Sequence, residues 1–220
     1  MSFSPRGGGT LFTANEGTHD VSVLSLSKLL SGASDFEINR IPVERGPWGI
    51  ATSADGSLVA VTNRDSNETD EAGRFISLID VDKAIARAHD AEVRRVMVGT
   101  DDPTGESRPF SVAFTPDGSK ILVANFITAN LSVVDVKQAL AGAKQPEIAR
   151  IALPVPDGSG TKAQPRAVAV TPDGHFAVVG GGQANNPGGG SVWVVDLSQG
   201  KLVNTVTGVG NEPYLLAITP

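Results

Sequence analysis

The sequence predicts an all-β fold that is built from repeated meanders of short antiparallel strands. The first observation is segment 108–136, where three apolar runs with high strand propensity are separated by short turns. The second is the turn at 115–118, T-P-D-G. Proline there presets φ, aspartate hydrogen-bonds to the backbone and glycine tolerates a positive φ. The third is that this unit recurs along the chain.

Copies of the unit begin at Pro47 and Pro165, and each contains a strand, a turn that ends in D-G and a second strand. The turn aspartates are 62 residues apart between Asp55 and Asp117, and 56 apart between Asp117 and Asp173. Repeats of this length that contain several strands each indicate propeller blades or another repeat array. We therefore expect residues 1–220 to form one repeat domain of this kind or a fragment of one.

In this detail the sequence resembles the YVTN-repeat β-propeller family. The shared pattern is a proline, a short apolar strand, T-P-D-G, a strand that ends V-A-N and a strand that ends V-V-D. The resemblance covers nearly the whole chain and is specific for fold rather than function. The resemblance implies that residues 1–220 form one β-propeller domain, or a fragment of one, with four-stranded antiparallel blades, usually seven to a ring. The family includes surface-layer and lactonase-like propellers.

The elements follow in order as four-stranded repeats. Three full blades are predicted at about 46–98, 108–153 and 164–208, and segments 10–45 and 213–220 are expected to be split or partial blades. Third and fourth strands are joined by short helical inserts in three copies, at 27–32, 82–89 and 136–142. The last copy has a plain turn there. Long loops are expected at 64–73 and 181–190, between second and third strands.

The sequence leaves two arrangements of the ring open. If 213–219 paired beside 10–15, four blades would close a ring, which is the lower limit of about four to eight blades. Alternatively, the chain is part of a larger, seven-bladed ring. The second arrangement is favoured, because segment 3–5 resembles the end of a first strand that 213–220 would then duplicate.

The composition of the chain excludes several classes of partner, cofactor and catalytic site. The net charge is −6, which gives no electrostatic footprint for nucleic acid. Cysteine is absent, so disulfides, thiolate metal sites, a cysteine nucleophile and C-x-x-C-H haem attachment are excluded. No signal peptide, no apolar run of about 18 residues and no metal-spaced histidines are visible. We therefore expect no cofactor, no metal, no nucleic-acid partner and no membrane span.

The residue after each repeat proline begins an innermost strand, which gives the set Trp48, Phe110, Arg166 and Tyr214. In the geometry that the resemblance implies, these residues converge on the mouth of the central channel. Two roles are open for them. They could cap the core and seal the ring, or form a cup that binds a planar or anionic ligand by stacking and charge-assisted hydrogen bonds.

Three further residues are candidates for ligand binding on the same face. Glu16 and Arg64 follow the asparagines that end two second strands, at a position that varies between the copies. His19, beside Asp20, is the histidine to test for acid–base chemistry. The acidic loop at 65–71 has alternating oxygen ligands but lacks the central glycine and spaced glutamate of a calcium loop. We predict no catalytic residue.

The favoured function is a non-enzymatic binding or scaffold protein of the cell envelope or surface. It would recognise a protein, glycan or small molecule at the channel mouth. The resemblance implies an extracellular, cell-surface or periplasmic location. The alternative is a lactonase-type hydrolase, or another propeller enzyme, with its site at the channel mouth. A lactonase would need a histidine, an arginine and a carboxylate converging on one face, and only Arg64, Arg166, Glu16 and His19 could supply them.

Overall fold

The protein is described by a computed structural model that covers residues 1–65, 72–155, 161–184 and 186–218. Within these residues the strands form four four-stranded antiparallel sheets, each in simple meander order. This confirms the all-β prediction and its blade-like architecture. We call the sheets the first to fourth blades, in chain order.

The first blade contains β1 (Ser2–Ser4), β2 (Thr10–Asn15), β3 (Asp20–Ser25) and β4 (Glu37–Pro42). The second contains β5 (Pro47–Thr52), β6 (Leu58–Asp65), β7 (Ala72–Asp80) and β8 (Glu92–Met97). The third contains β9 (Pro109–Phe114), β10 (Lys120–Asn125), β11 (Asn130–Asp135) and β12 (Glu147–Ala152). The fourth contains β13 (Ala163–Val170), β14 (Phe176–Gln183), β15 (Asn186–Asp196) and β16 (Lys201–Thr207).

Short helices join the third and fourth strands of three blades, namely α1 (Leu26–Leu30), α2 (Val81–Ile85) and α3 (Val136–Leu140). Each begins where a strand ends in a side chain that can cap it. Asp80 accepts a hydrogen bond from the Lys83 backbone at 2.9 Å, and Asp135 accepts one from Gln138 at 2.7 Å. The expected helical inserts are therefore present, together with a 3-10 turn at Arg6–Gly8 in the first blade.

The turns between first and second strands have the chemistry that the sequence predicts. Asp117 accepts hydrogen bonds from the Thr115 hydroxyl at 2.6 Å and from the Ser119 backbone at 3.0 Å. Gly118 has φ 69° and Gly174 has φ 73°, in the left-handed region that favours glycine. These turns therefore fix the register of the strands on either side.

Apolar residues between neighbouring blades form the core. Phe12 and Val59 pack between the first and second blades, Leu78 and Ile121 between the second and third, and Trp193 between the third and fourth. All five side chains are fully buried. The first strands β1, β5, β9 and β13 lie next to each other in succession and so line the inner side of the arc.

The meander order places the connections on two ends of the blades. The turns at Asp55, Asp117 and Asp173 share one end with α1, α2 and α3, and we call this end the turn face. The connections between second and third strands, and those between blades, share the other end. We call it the loop face. The described residues include no helix with the length and apolar character needed to cross a membrane.

Of the two ring arrangements left open, the less favoured one is not formed by the described residues, because β2 pairs on its inner side with β1 and residues 213–218 form no strand. One expectation needs correction. The long loop at 181–190 is largely strand, because β14 runs to Gln183 and β15 begins at Asn186. The glycines there allow close packing of backbone, since a Cβ on Gly181 would lie 2.3 Å from the carbonyl oxygen of Gln164.

Candidate ligand site at the channel mouth

The structure brings the four residues that follow the repeat prolines together. Trp48, Phe110 and Arg166 lie near the starts of β5, β9 and β13, and Tyr214 lies beside them in the irregular segment 208–218. All four line a cavity of about 230 Å³, together with Met1 and Leu215. Because the first strands begin at the loop face, the cavity opens there on the inner side of the arc.

Aromatic rings form the centre of this cavity. The Phe110 ring lies 5.5 Å from Trp48, 5.6 Å from Phe126 and 6.5 Å from Tyr214, measured between ring centroids. Phe110 is buried, whereas Trp48 is 43% and Tyr214 is 50% exposed. Tilted aromatic pairs at such distances stabilise by about 0.5–1.5 kcal/mol beyond their burial. The inner ring therefore holds the structure together, and the two outer rings are available for contact.

Arg166 is held against this cluster with little access to water, since it is only 8% exposed. Its guanidinium carbon lies 5.0 Å from the centroid of Phe126 and 4.8 Å from that of Tyr214. Nη1 lies 2.7 Å from a carboxylate oxygen of Glu212, but the N–H direction does not fit a hydrogen bond. In the part of the chain that the structure describes, Nε also has no hydrogen-bond partner. Buried polar groups without such partners are uncommon in proteins.

Arg64 occupies a different environment at the edge of the cavity. Its guanidinium lies 4.8 Å from the Trp48 ring centroid. The same group forms ion pairs with Glu16, in the loop after β2, and with Asp65 at 3.3 Å. Two carboxylates therefore compensate its charge. Glu16 and Arg64 lie at the junction of the first and second blades and reach the cavity through the stacking of Arg64 on Trp48.

His19 lies in the same junction but does not line the cavity. It is exposed, with φ 59°, and its Nδ1 accepts a hydrogen bond from the Gly46 backbone at 3.4 Å. This contact holds the loop after β2 against the start of the second blade. Of the predicted site residues, four are therefore brought into one cavity, and Glu16, Arg64 and His19 form a neighbouring group.

Two members of the cluster, Phe126 and Glu212, are not among the residues predicted from the sequence. Phe126 follows Asn125 at the position that Glu16 and Arg64 occupy in their own repeats, so comparison of the copies could have found it. Glu212 directly precedes the last repeat proline, and no signal in the sequence distinguishes it. Its φ of 47° turns the chain toward Arg166. The carboxylate of Glu212 compensates the charge of Arg166.

The predicted acidic loop at 65–71 lies outside the described residues except for Asp65, which pairs with Arg64. In the part of the chain that the structure describes, no three His, Cys, Asp or Glu residues come together as a metal site would require.

No protein-family model matches the sequence, and no curated protein matches it. Solved structures do match, and three β-propeller structures illustrate the likeness. Hydrazine synthase from Kuenenia stuttgartiensis has a TM-score of 0.70 at 21% identity, over 94% of this chain and 47% of that one. The dihydro-haem d1 dehydrogenase NirN, solved in complex with DHE, has a TM-score of 0.57 at 22% identity, over 90% of this chain and 34% of that one.

The third structure is the β-propeller domain of Cps50 (Swd1) from Myceliophteria thermophila. It has a TM-score of 0.62 at 13% identity, over 100% of this chain and 60% of that one. The chain thus spans between about a third and three fifths of the length of these structures. At such low identities the likeness establishes the fold, and the fold is that of a β-propeller.

Proposed function

We propose that this β-propeller domain is of the YVTN-repeat type and that it binds a small ligand at the channel mouth rather than transforming one. The observation that carries the proposal is the environment of Arg166. A cation that is nine-tenths buried lies in the wall of a cavity, and two of its nitrogens have no hydrogen-bond partner among the described residues. The Glu212 carboxylate compensates the charge of Arg166, but the hydrogen-bonding capacity of these two nitrogens remains available to a ligand in the cavity.

The surroundings of Arg166 define the ligand class. Trp48 and Tyr214 offer half-exposed rings on which a flat molecule can stack. Arg166 attracts an acidic group, and its present counter-ion Glu212 is 39% exposed on an irregular segment. A ligand carboxylate would replace the poorly aligned Glu212 contact with charge-assisted hydrogen bonds. The class is therefore a planar molecule with a carboxylate, of a size that fits about 230 Å³.

The contacts favour binding over catalysis. A hydrolase of the lactonase type would direct a histidine, an arginine and a carboxylate at one reacting point. Here Arg64 is engaged by Glu16 and Asp65, and His19 bonds to the backbone of Gly46. Neither Arg64 nor His19 is among the residues that line the cavity. Binding of a larger partner, a protein or a glycan, would use the same exposed rings.

The cellular location belongs to the same proposal and rests on the resemblance to surface-layer propellers alone. We propose an extracellular, cell-surface or periplasmic protein. Fractionation of the source cells with an antibody against this chain tests the location. Recovery in the cytosolic fraction alone would contradict it.

The test of binding uses 2-naphthoate as the probe and the two tryptophans as reporters. Trp48 is 43% exposed at the cavity, and Trp193 is buried with its indole N–H donating to Pro154. In a ¹H–¹⁵N spectrum, 2-naphthoate is expected to shift the Trp48 indole signal saturably and to leave Trp193 unmoved. The neutral analogue 2-naphthalenemethanol should bind more weakly.

Arg166→Met should weaken 2-naphthoate binding by about 10-fold or more, since a hydrogen bond to a charged group contributes about 1.5–3 kcal/mol. Arg95→Met is the matched control, because Arg95 forms an exposed ion pair with Glu92 on β8, far from the cavity. If Arg166→Met folds and binds 2-naphthoate as tightly as wild type, or if wild type does not bind it, the proposal fails.

A further inference from the structure

A second cavity lies away from the one that Trp48 and Arg166 line. It has a volume of about 460 Å³ and lies on the turn face, between the second and third blades. This size is within the range of small-molecule pockets, about 300–1,000 Å³. We call it the turn-face cleft. Its origin can be traced to one difference between the repeats.

The four blades meet at three junctions, which we number in chain order. At the first and third junctions, the turn proline of one blade packs on the turn glycine of the next. A Cβ on Gly56 would lie 2.7 Å from Cδ of Pro5, and a Cβ on Gly174 would lie 3.5 Å from Cδ of Pro116. At the second junction the proline is replaced by Ala54. A Cβ on the facing Gly118 would meet nothing within 4 Å. The missing pyrrolidine ring therefore leaves the space open.

The floor of the cleft is apolar and its rim is acidic. The apolar lining residues are Leu58, Val93, Phe114, Pro116, Val136 and Leu140, and the acidic ones are Asp55, Asp80 and Asp117. Leu140 is 51% exposed. No lysine or arginine is among these lining residues. Lys137 is exposed on the neighbouring α3 and forms no ion pair with the rim carboxylates within the described residues.

Two of the carboxylates are ionised at neutral pH. Hydrogen bonds from the Ser53 and Ser57 side chains lower the pKa of Asp55 to about 2. Hydrogen bonds from the Thr115 side chain and the Ser119 backbone also lower the pKa of Asp117 below its ordinary value. Arg6, which lies 4.0 Å from Asp55, and Lys120, which lowers the pKa of Asp117 by its charge, both stand outside the lining. The lining itself therefore presents negative charge beside apolar surface.

The first junction shows what complements such a surface. There the chain's own Arg6 forms an ion pair with Asp82 and lies 4.0 Å from Asp55. The adjoining Gly7 packs against Ile85 of α2, since a Cβ on it would lie 2.8 Å from Cδ1 of Ile85. A cation and an apolar contact together fill that junction.

The other two junctions differ in the charge that they present. The third has a smaller cavity, of about 190 Å³, whose lining includes Lys120. In the second blade the position of Arg6 is occupied by Asp55, and the position of Ile85 in α2 corresponds to the exposed Leu140 in α3. The second junction therefore has the acidic and apolar surfaces but no cation in its lining.

We propose that the turn-face cleft binds a small organic cation, an amine or guanidinium attached to an apolar body. The apolar body packs on Phe114, Val136 and Leu140, and the cation lies between Asp55 and Asp117. This site is separate from the channel mouth, because it opens on the opposite end of the blades. It does not depend on the function proposed for the channel mouth.

The test uses 2-phenylethylammonium as the probe, with 2-phenylethanol as its neutral analogue. Backbone amide signals of Gly118 and Leu140 should shift saturably with the amine, and the Trp48 indole signal should stay in place. Binding of the amine should exceed that of the alcohol by about threefold, and this difference should shrink in high salt, as expected for a partly exposed ion pair. Absence of saturable amine binding, or equal binding of the alcohol, would overturn the proposal.

Two variants separate the cleft from nonspecific binding. Ala54→Pro restores the ring found at Pro5 and Pro116, and it should reduce amine binding at least about tenfold because apolar contact area is lost. An unchanged or raised melting temperature would show that it folds. Asp117→Asn should weaken binding by about threefold. Asp173→Asn, the same turn position in the fourth blade, should not. Wild-type affinity in Ala54→Pro would refute the site.

Discussion

The turn face and the loop face use the same repeats in opposite ways. On the turn face, Asp55, Asp117 and Asp173 each accept hydrogen bonds from a neighbouring hydroxyl and from the backbone. On the loop face, the residue after each second-strand asparagine differs, and Glu16, Arg64 and Phe126 make three different kinds of contact. Repetition thus marks residues that hold the fold.

Differences between copies mark the places where chemistry can vary. The cavity of about 230 Å³ is lined by Trp48, Phe110 and Arg166 from the first strands of three blades, and Arg166 is the charged one of these three. The turn-face cleft exists because one copy departs from the rest, at Ala54. Both candidate sites therefore lie where the repeats disagree.

The largest effect on stability is expected from substitutions of the turn glycines. These glycines belong to the repeated turns that hold the fold on the turn face. Gly118→Val and Gly174→Val should each lower the free energy of unfolding by about 1–3 kcal/mol, because a β-branched residue is strained at positive φ. Chemical denaturation measures this loss.

Gly17→Val is the matched control on the loop face. Gly17 has no positive φ, and a Cβ on it would meet nothing within 4 Å. The free energy of unfolding of the Gly17→Val variant should stay close to that of wild type. If Gly17→Val cost as much as the turn variants, the contrast between the two faces would be wrong.

A smaller effect is expected from pH. Asp55 has a folded-state pKa of about 2, below the unfolded value of about 3.9 for aspartate. Its ionised form therefore stabilises the fold fully above about pH 4, and this stability is lost as the pH falls toward about 2. Urea denaturation at pH 5 and at pH 3 measures the free energy of unfolding at each pH. Between pH 5 and pH 3 this free energy should fall more in wild type than in Asp55→Asn. Equal losses would show that the turn hydrogen bonds of Asp55 do not stabilise the folded state.

The sequence was sufficient for the fold because the turn chemistry is local. The residues at 115–118 determine a turn by their own φ preferences and hydrogen bonds, so each copy predicts its strands without long-range information. The convergence of Trp48, Phe110, Arg166 and Tyr214 followed from the resemblance, since their spacing alone says nothing about a channel.

Other features depend on contacts that no local pattern encodes. Glu212 was missed because its relation to Arg166 arises only when segment 208–218 lies against the fourth blade. The extended strands around Gln183 were missed because glycines usually indicate loops, whereas here they allow close backbone packing. The cleft at Ala54 appears as a simple substitution in the sequence. Its volume becomes evident only from the structure, where a Cβ on the facing Gly118 would meet nothing within 4 Å.

The central claim is that the two faces carry separate sites of opposite charge preference. The most direct test is one ¹H–¹⁵N titration of the 220-residue chain in which 2-naphthoate and 2-phenylethylammonium are added singly and then together. We expect that 2-naphthoate shifts the Trp48 indole signal, that the amine shifts the Gly118 and Leu140 amide signals, and that each probe binds with unchanged affinity when the other is present. Competition between the probes, or shifts at the same residues, would contradict it.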